Sequence, residues 1–184
     1  LPFSAEPLKV MLDPYHEVFR RLNPGEVPPS IGQTYGSEMQ TPILPKNESF
    51  SDLLSGYRQF ARSVKTASRS PDIILKDGSL TLAPAGSLWL FGKNNMFAGQ
   101  LRAQLDRYNV KVDEQGVTLD NKKFQWENHS FVLTLNRYGS KGNTVTWVVA
   151  SSKESIPGLI RKLPHYGKYG YLVFKGDVPS NVTK

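Results

Sequence analysis

The residues best placed to do chemistry stand together at Gly92-Lys93-Asn94-Asn95. They follow a short apolar run, Leu88-Trp89-Leu90-Phe91, and precede an amphipathic stretch. A strand, a glycine turn and a helix start would place free backbone amides and a lysine at the carboxyl end of a strand, where anions bind. A second cluster, Lys162-Leu163-Pro164-His165-Tyr166-Gly167-Lys168-Tyr169-Gly170-Tyr171, mixes cations with rings. Stacking rings beside lysines can hold a nucleic acid or a small ligand. A third set, Arg58, Arg62, Lys65 and Arg69, recurs at helical spacing and forms a basic ridge that can meet phosphates.

The second and third sets also have a plainer structural use. The lysine–tyrosine cluster reads as a helix-to-strand loop, with Gly167 and Gly170 turning the chain and the tyrosine rings packing on a sheet end with their hydroxyls in water. The basic ridge reads as the wet face of an amphipathic helix. The net charge of +7 is scattered, with no block of five or six like charges. A solvated basic surface is therefore favoured over nucleic-acid binding.

Several chemistries are excluded outright. No cysteine occurs, so disulfides, thiol catalysis and cysteine zinc sites are absent. The turn at Gly92 lacks the spaced glycines of a dinucleotide fold. Gly86 and Gly92 stand too far apart for a P-loop, and Asn94 follows Lys93 where Ser or Thr is required. G-x-S-x-G and H-E-x-x-H are both missing. His16, His129 and His165 are isolated along the chain, and no metal ligands, cofactor or catalytic residues are assigned. Asn47, Asn128 and Asn181 open Asn-x-Ser/Thr sequons, which matter only in a eukaryotic secretory pathway.

The positioning elements follow from periodicity. Residues 7–12 suggest a strand, and Asp13-Pro14 opens a short helix with Tyr15, Val18, Phe19 and Leu22 on one face. Another helical turn runs from Pro28-Pro29-Ser30 to near Gly36. Strands are expected at 40–44, 72–75, 88–91, 110–112, 131–135, 144–150 and 170–174. A hairpin pairs 117–119 with 123–125 around Asp120-Asn121. Helices are expected at 48–67, 94–108 and 156–163, with Phe97, Leu101, Leu105 and Tyr108 on the apolar face of the second.

Strands alternating with helices indicate an α/β fold. The expected form is a three-layer sandwich with a mixed, mostly parallel sheet, Rossmann-like or flavodoxin-like. The domains are a Pro-rich linking segment, 1–36, and an α/β body, 37–184. No apolar run approaches the roughly 20 residues of a membrane span. The chain opens on Leu1 without a Met and reads as processed or as a piece of something longer.

Two stretches resemble a known family. Leu12-Asp13-Pro14, Phe19-Arg20-Arg21-Leu22-Asn23-Pro24 and Glu26-Val27-Pro28-Pro29-Ser30 resemble the segment after the catalytic region in bacterial gluzincin peptidases of the aminopeptidase N type. Gly158-Leu159, Arg161-Lys162-Leu163-Pro164-His165-Tyr166-Gly167-Lys168-Tyr169 and Tyr171-Leu172 resemble the end of the same proteins. The resemblance implies a C-terminal, non-catalytic α/β domain of a periplasmic or envelope zinc metallopeptidase. The family's zinc ligands and catalytic Glu have no counterpart here.

The expected function is therefore an accessory domain that packs on or gates the other domains of a parent peptidase, or recruits a protein partner. One alternative is a stand-alone small-molecule or anion-binding module using Gly92, Lys93, Asn94 and Asn95. Another is nucleic-acid or anionic-surface binding through Arg58, Arg62, Lys65, His165, Tyr166, Lys168 and Tyr169.

Overall fold

The computed structural model describes residues 13–15, 17–20, 27–45, 51–65, 86–105 and 108–183, with backbone only at Ser51 and Lys65. The expected strands at 7–12 and 72–75 lie outside the described residues. In chain order the elements are α1 (Ile31–Tyr35), β1 (Gln40–Ile43), α2 (Ser51–Lys65), β2 (Ser87–Phe91), α3 (Ala98–Leu105), β3 (Val110–Val112), β4 (Gly116–Leu119) and β5 (Lys122–Gln125). Then follow β6 (His129–Asn136), β7 (Thr144–Val149), α4 (Ser155–Lys162), a 3-10 turn (Leu163–Tyr166), β8 (Tyr171–Lys175) and β9 (Ser180–Thr183).

Six strands form one mixed sheet in the order β1-β2-β7-β6-β8-β9. The pairings β1–β2 and β2–β7 are parallel; β7–β6, β6–β8 and β8–β9 are antiparallel. The expectation of a mostly parallel sheet is thus corrected. The reason lies in the connections. Residues 137–143 join β6 to β7, and residues 176–179 join β8 to β9, and links that short return the chain beside its neighbour. A parallel neighbour needs a crossover, which α2 gives between β1 and β2.

Alternation along the strands splits the core in two. Trp89 and Phe91 of β2, Val132 of β6, Val148 of β7, and Leu172 and Phe174 of β8 share one cluster with Ile31 of α1, Tyr57, Phe60 and Val64 of α2, and Ile156 and Leu159 of α4. Leu90, Phe131, Leu133, Trp147 and Val173 belong to the other, with Leu101 and Leu105 of α3 and Val117 and Leu119 of β4. That second cluster also takes in the small antiparallel sheet β3-β4-β5. Its β4–β5 turn falls at Asp120 and Asn121, both with positive φ (47° and 64°), the conformation of a tight hairpin turn.

Other departures have local causes. The expected helix at Asp13 does not form among residues 13–15 and 17–20: Asp13 takes φ 52°, and its Oδ1 accepts from Glu17 N at 2.7 Å. Tyr15, Val18 and Phe19 are exposed rather than packed. α1 belongs to the core although it falls within the expected linking segment, since Ile31 and Thr34 are fully buried. α3 begins four residues after Asn94, because the chain first makes an irregular turn around Asn95. β9 was not expected; Gly176 (φ 80°) turns the chain back onto β8.

Candidate functional site

The carboxyl ends of parallel strands are where α/β folds hold ligands. Here β1, β2 and β7 end side by side, and Gly92 leaves β2 with φ 86°, which glycine tolerates. The donors expected to face an anion are used internally. Gly92 N donates to Val148 O at 2.9 Å, and Trp147 Nε1 donates to Gly92 O at 2.9 Å. Asn95 is 4% exposed, and its Nδ2 donates to Ile43 O and Phe91 O, each at 3.0 Å. Its Oδ1 accepts from Phe97 N at 3.1 Å. One amide side chain thus ties β1, β2 and the start of α3 together. Lys93 Nζ donates to Glu114 O at 2.8 Å and lies 5.5 Å from the Trp126 ring centroid. Asn94 is exposed. On the neighbouring strand, Tyr57 Oη accepts from Ala150 N at 2.9 Å, so α2 seals the end of β7.

The basic ridge lies where the periodicity places it. Arg58 and Arg62 are exposed on α2, opposite Tyr57, Phe60, Ala61 and Val64, which are buried. The side chain of Lys65 and all of Arg69 lie outside the described residues.

The lysine–tyrosine loop is a joint. Gly32 N donates to Gly167 O at 2.8 Å and Ile31 N to Tyr169 O at 2.9 Å, so the first amides of α1 are satisfied by the loop. The approach is tight: a Cβ on Gly32 would stand 2.8 Å from Gly167 O. The Tyr166 ring packs edge-on to Phe174, with centroids 5.8 Å apart, and lies 5.9 Å from that of Tyr169. His165 and Lys168 are exposed, and Lys168 Nζ lies 5.1 Å from the Tyr169 ring centroid. Tyr171 Oη donates to Asp120 at 3.1 Å; burial, then that carboxylate, push its pKa upward.

These sets do not converge. β8 runs in the same direction as β2, since each is linked through β7 and β6 by one parallel and two antiparallel pairings. Gly92 follows the end of β2 while the 167–169 loop precedes β8, so the two lie at opposite ends of the sheet. Of the histidines, His129 lies 3.0 Å from Gln125 O through Nδ1, and His16 is outside the described residues. No group of three acidic or histidine side chains is placed to hold a metal among the described residues.

Two hydroxyl networks escaped the sequence reading. Thr34 Oγ1 lies 2.7 Å from Thr144 Oγ1 and 2.6 Å from Thr146 Oγ1, and Thr146 reaches Thr134 at 3.0 Å. Thr144 also donates to Ser87 Oγ at 3.3 Å, and all five residues are buried. The available signal was Thr-x-Thr in β7, which puts two hydroxyls on one face. At the far end of β7, Ser130 Oγ lies 3.1 Å from Ser151 Oγ and donates to Ser155 Oγ at 3.3 Å. Ser152 Oγ donates to Asp177 at 2.6 Å. An open cleft of about 460 Å³, of mixed polar and apolar lining, lies between Gln33, Ser37, Glu38, Met39, Gly86 and Asn143. Near it, Arg137 donates to Gly86 O, and burial lowers its pKa.

No protein-family model, curated protein or solved structure matches this chain.

Proposed function

We propose that this chain is a non-catalytic α/β domain that serves as a packing or recruiting module within a larger zinc peptidase of the gluzincin type, in the periplasm or cell envelope. We read its arrangement as a three-layer sandwich of the Rossmann-like or flavodoxin-like kind. The peptidase parentage rests on the resemblance at residues 12–30 and 158–172, and one observation carries the non-catalytic reading. The carboxyl end of β1, β2 and β7 is occupied by the protein's own side chains, with Asn95, Trp147 and Tyr57 bonded to the backbone there. Groups spent on holding strand ends together are not free to hold a substrate. The anion-binding alternative is weakened for the same reason, because the amides of Gly92, Asn95, Phe97 and Ala98 already have acceptors.

The test has two arms. The purified chain, supplied with zinc, is assayed on aminoacyl anilides, and no hydrolysis is expected; chelator-sensitive turnover refutes the non-catalytic reading. The reading frame upstream of Leu1 is then determined. H-E-x-x-H followed by a downstream Glu is expected, and a frame without it refutes the peptidase assignment while leaving the module reading intact.

A further inference from the structure

A second cavity lies away from the strand ends just described. It holds about 210 Å³ between the end of α3, β3, the middle of β6 and the start of β8. Leu105, Val110, Leu133 and Leu135 form its apolar floor, all of them buried. Tyr108, Tyr171, Pro28 and Pro29 also line it, and the cavity is partly open to solvent. The polar groups of the lining are mostly engaged: Thr134 Oγ1 bonds to Thr146, Thr134 N donates to Gly170 O, and the Tyr171 hydroxyl donates to Asp120. The remaining charged group of the lining is Lys168, exposed, with its ammonium against the Tyr169 ring and no carboxylate in salt-bridge range among the described residues.

We infer that this cavity is a binding site for a small monocyclic aromatic carboxylate. The size argues one ring: an apolar cavity of about 150 Å³ already suffices for benzene, so this volume takes a ring with a short side chain. The two tyrosines of the lining argue an aromatic guest, since aromatic rings pair favourably with one another. The charge argues a carboxylate, because Lys168 is the charged residue of the lining among the described residues. This site is independent of the proposed peptidase parentage, and its ligand need not be a substrate.

The probe is phenylacetate, titrated into the isotope-labelled chain and followed by amide chemical shifts, with phenylacetamide as its neutral counterpart. Saturable shifts are expected at Val110, Leu133 to Leu135, Gly170 and Tyr171, with phenylacetate favoured by about fivefold, the scale of one exposed ion pair. Lys168→Gln should abolish that preference while leaving phenylacetamide binding unchanged. Tyr108→Ala, at an exposed wall position, should weaken both probes. The same spectra report whether each variant keeps its fold. Absence of saturable shifts at millimolar probe overturns the site. Shifts centred on the 92–95 turn overturn its location, and equal binding of the two probes by the native chain overturns the carboxylate assignment.

Discussion

Replacing Asn95 with Ala separates a structural staple from a ligand-binding residue. The native side chain makes three hydrogen bonds inside the protein, two as donor and one as acceptor. At about 1 kcal/mol net for each bond, their loss destabilises the fold by about 3 kcal/mol. The residue is 4% exposed, so water does not readily replace the lost partner. That is a large share of the roughly 5–15 kcal/mol that holds a typical domain together. With a urea slope of about 2 kcal/mol/M, the unfolding midpoint should fall by about 1.5 M. The neighbour Asn94 is exposed, and Asn94→Ala should stay within about 0.5 kcal/mol of the native chain. Urea unfolding followed by circular dichroism reads both variants. A midpoint for Asn95→Ala within about 0.3 M of the native value would refute the staple. So would equal losses at the two asparagines.

Three further outcomes follow from the same geometry. Gly32→Ala places a methyl 2.8 Å from Gly167 O and should cost about 1–3 kcal/mol, with faster hydrogen exchange confined first to α1 and the 167–169 loop. Thr146→Val keeps the shape but removes the hydroxyl that reaches Thr34 and Thr134, and thermal unfolding should show a loss of about 1–2 kcal/mol. The Lys123 ammonium, then the Gly116 and Gln115 amides, hold the Asp113 carboxylate below its usual range. A depressed folded pKa stabilises the turn above the ordinary carboxylate value and is lost as pH falls through the folded one. Amide exchange at Gln115 and Gly116, corrected for its intrinsic pH dependence, should therefore lose protection in acid, and Asp113→Asn should remove that pH dependence.

Much of the fold was legible because periodicity and punctuation agreed. Leu88 to Phe91 reads as a strand buried on both faces, and its alternate residues do serve two clusters. Asp120-Asn121 between alternating β residues reads as a hairpin, and the positive φ at both residues is the reason. Pro157 falls in the first turn of α4, where its missing N–H is harmless. Long-range bonding was not legible. Nothing local says that Asn95 reaches Ile43 rather than solvent, so a residue read as a ligand donor is a cross-strand tie. Nothing local says that Gly32 seats on Gly167, so the lysine–tyrosine cluster reads as a helix-to-strand loop without the partner its backbone joins. β9 lacks the apolar alternation that marks a strand: Ser180, Asn181 and Thr183 flank one valine, and pairing with β8 makes it. The apolar cavity gathers Pro28, Leu105, Leu133 and Tyr171 from four distant stretches, which no spacing rule brings together.

Native-state hydrogen exchange at Gly92, Phe97 and Ala150 tests most directly whether the strand ends are sealed from within. Their acceptors are Val148 O, the Asn95 side chain and the Tyr57 hydroxyl. All three amides should exchange slowly in the free protein, at rates near those of the central strands β6 and β7. Rapid exchange at these positions, slowed only by an added anion or metabolite, would show an open binding crevice and contradict the account.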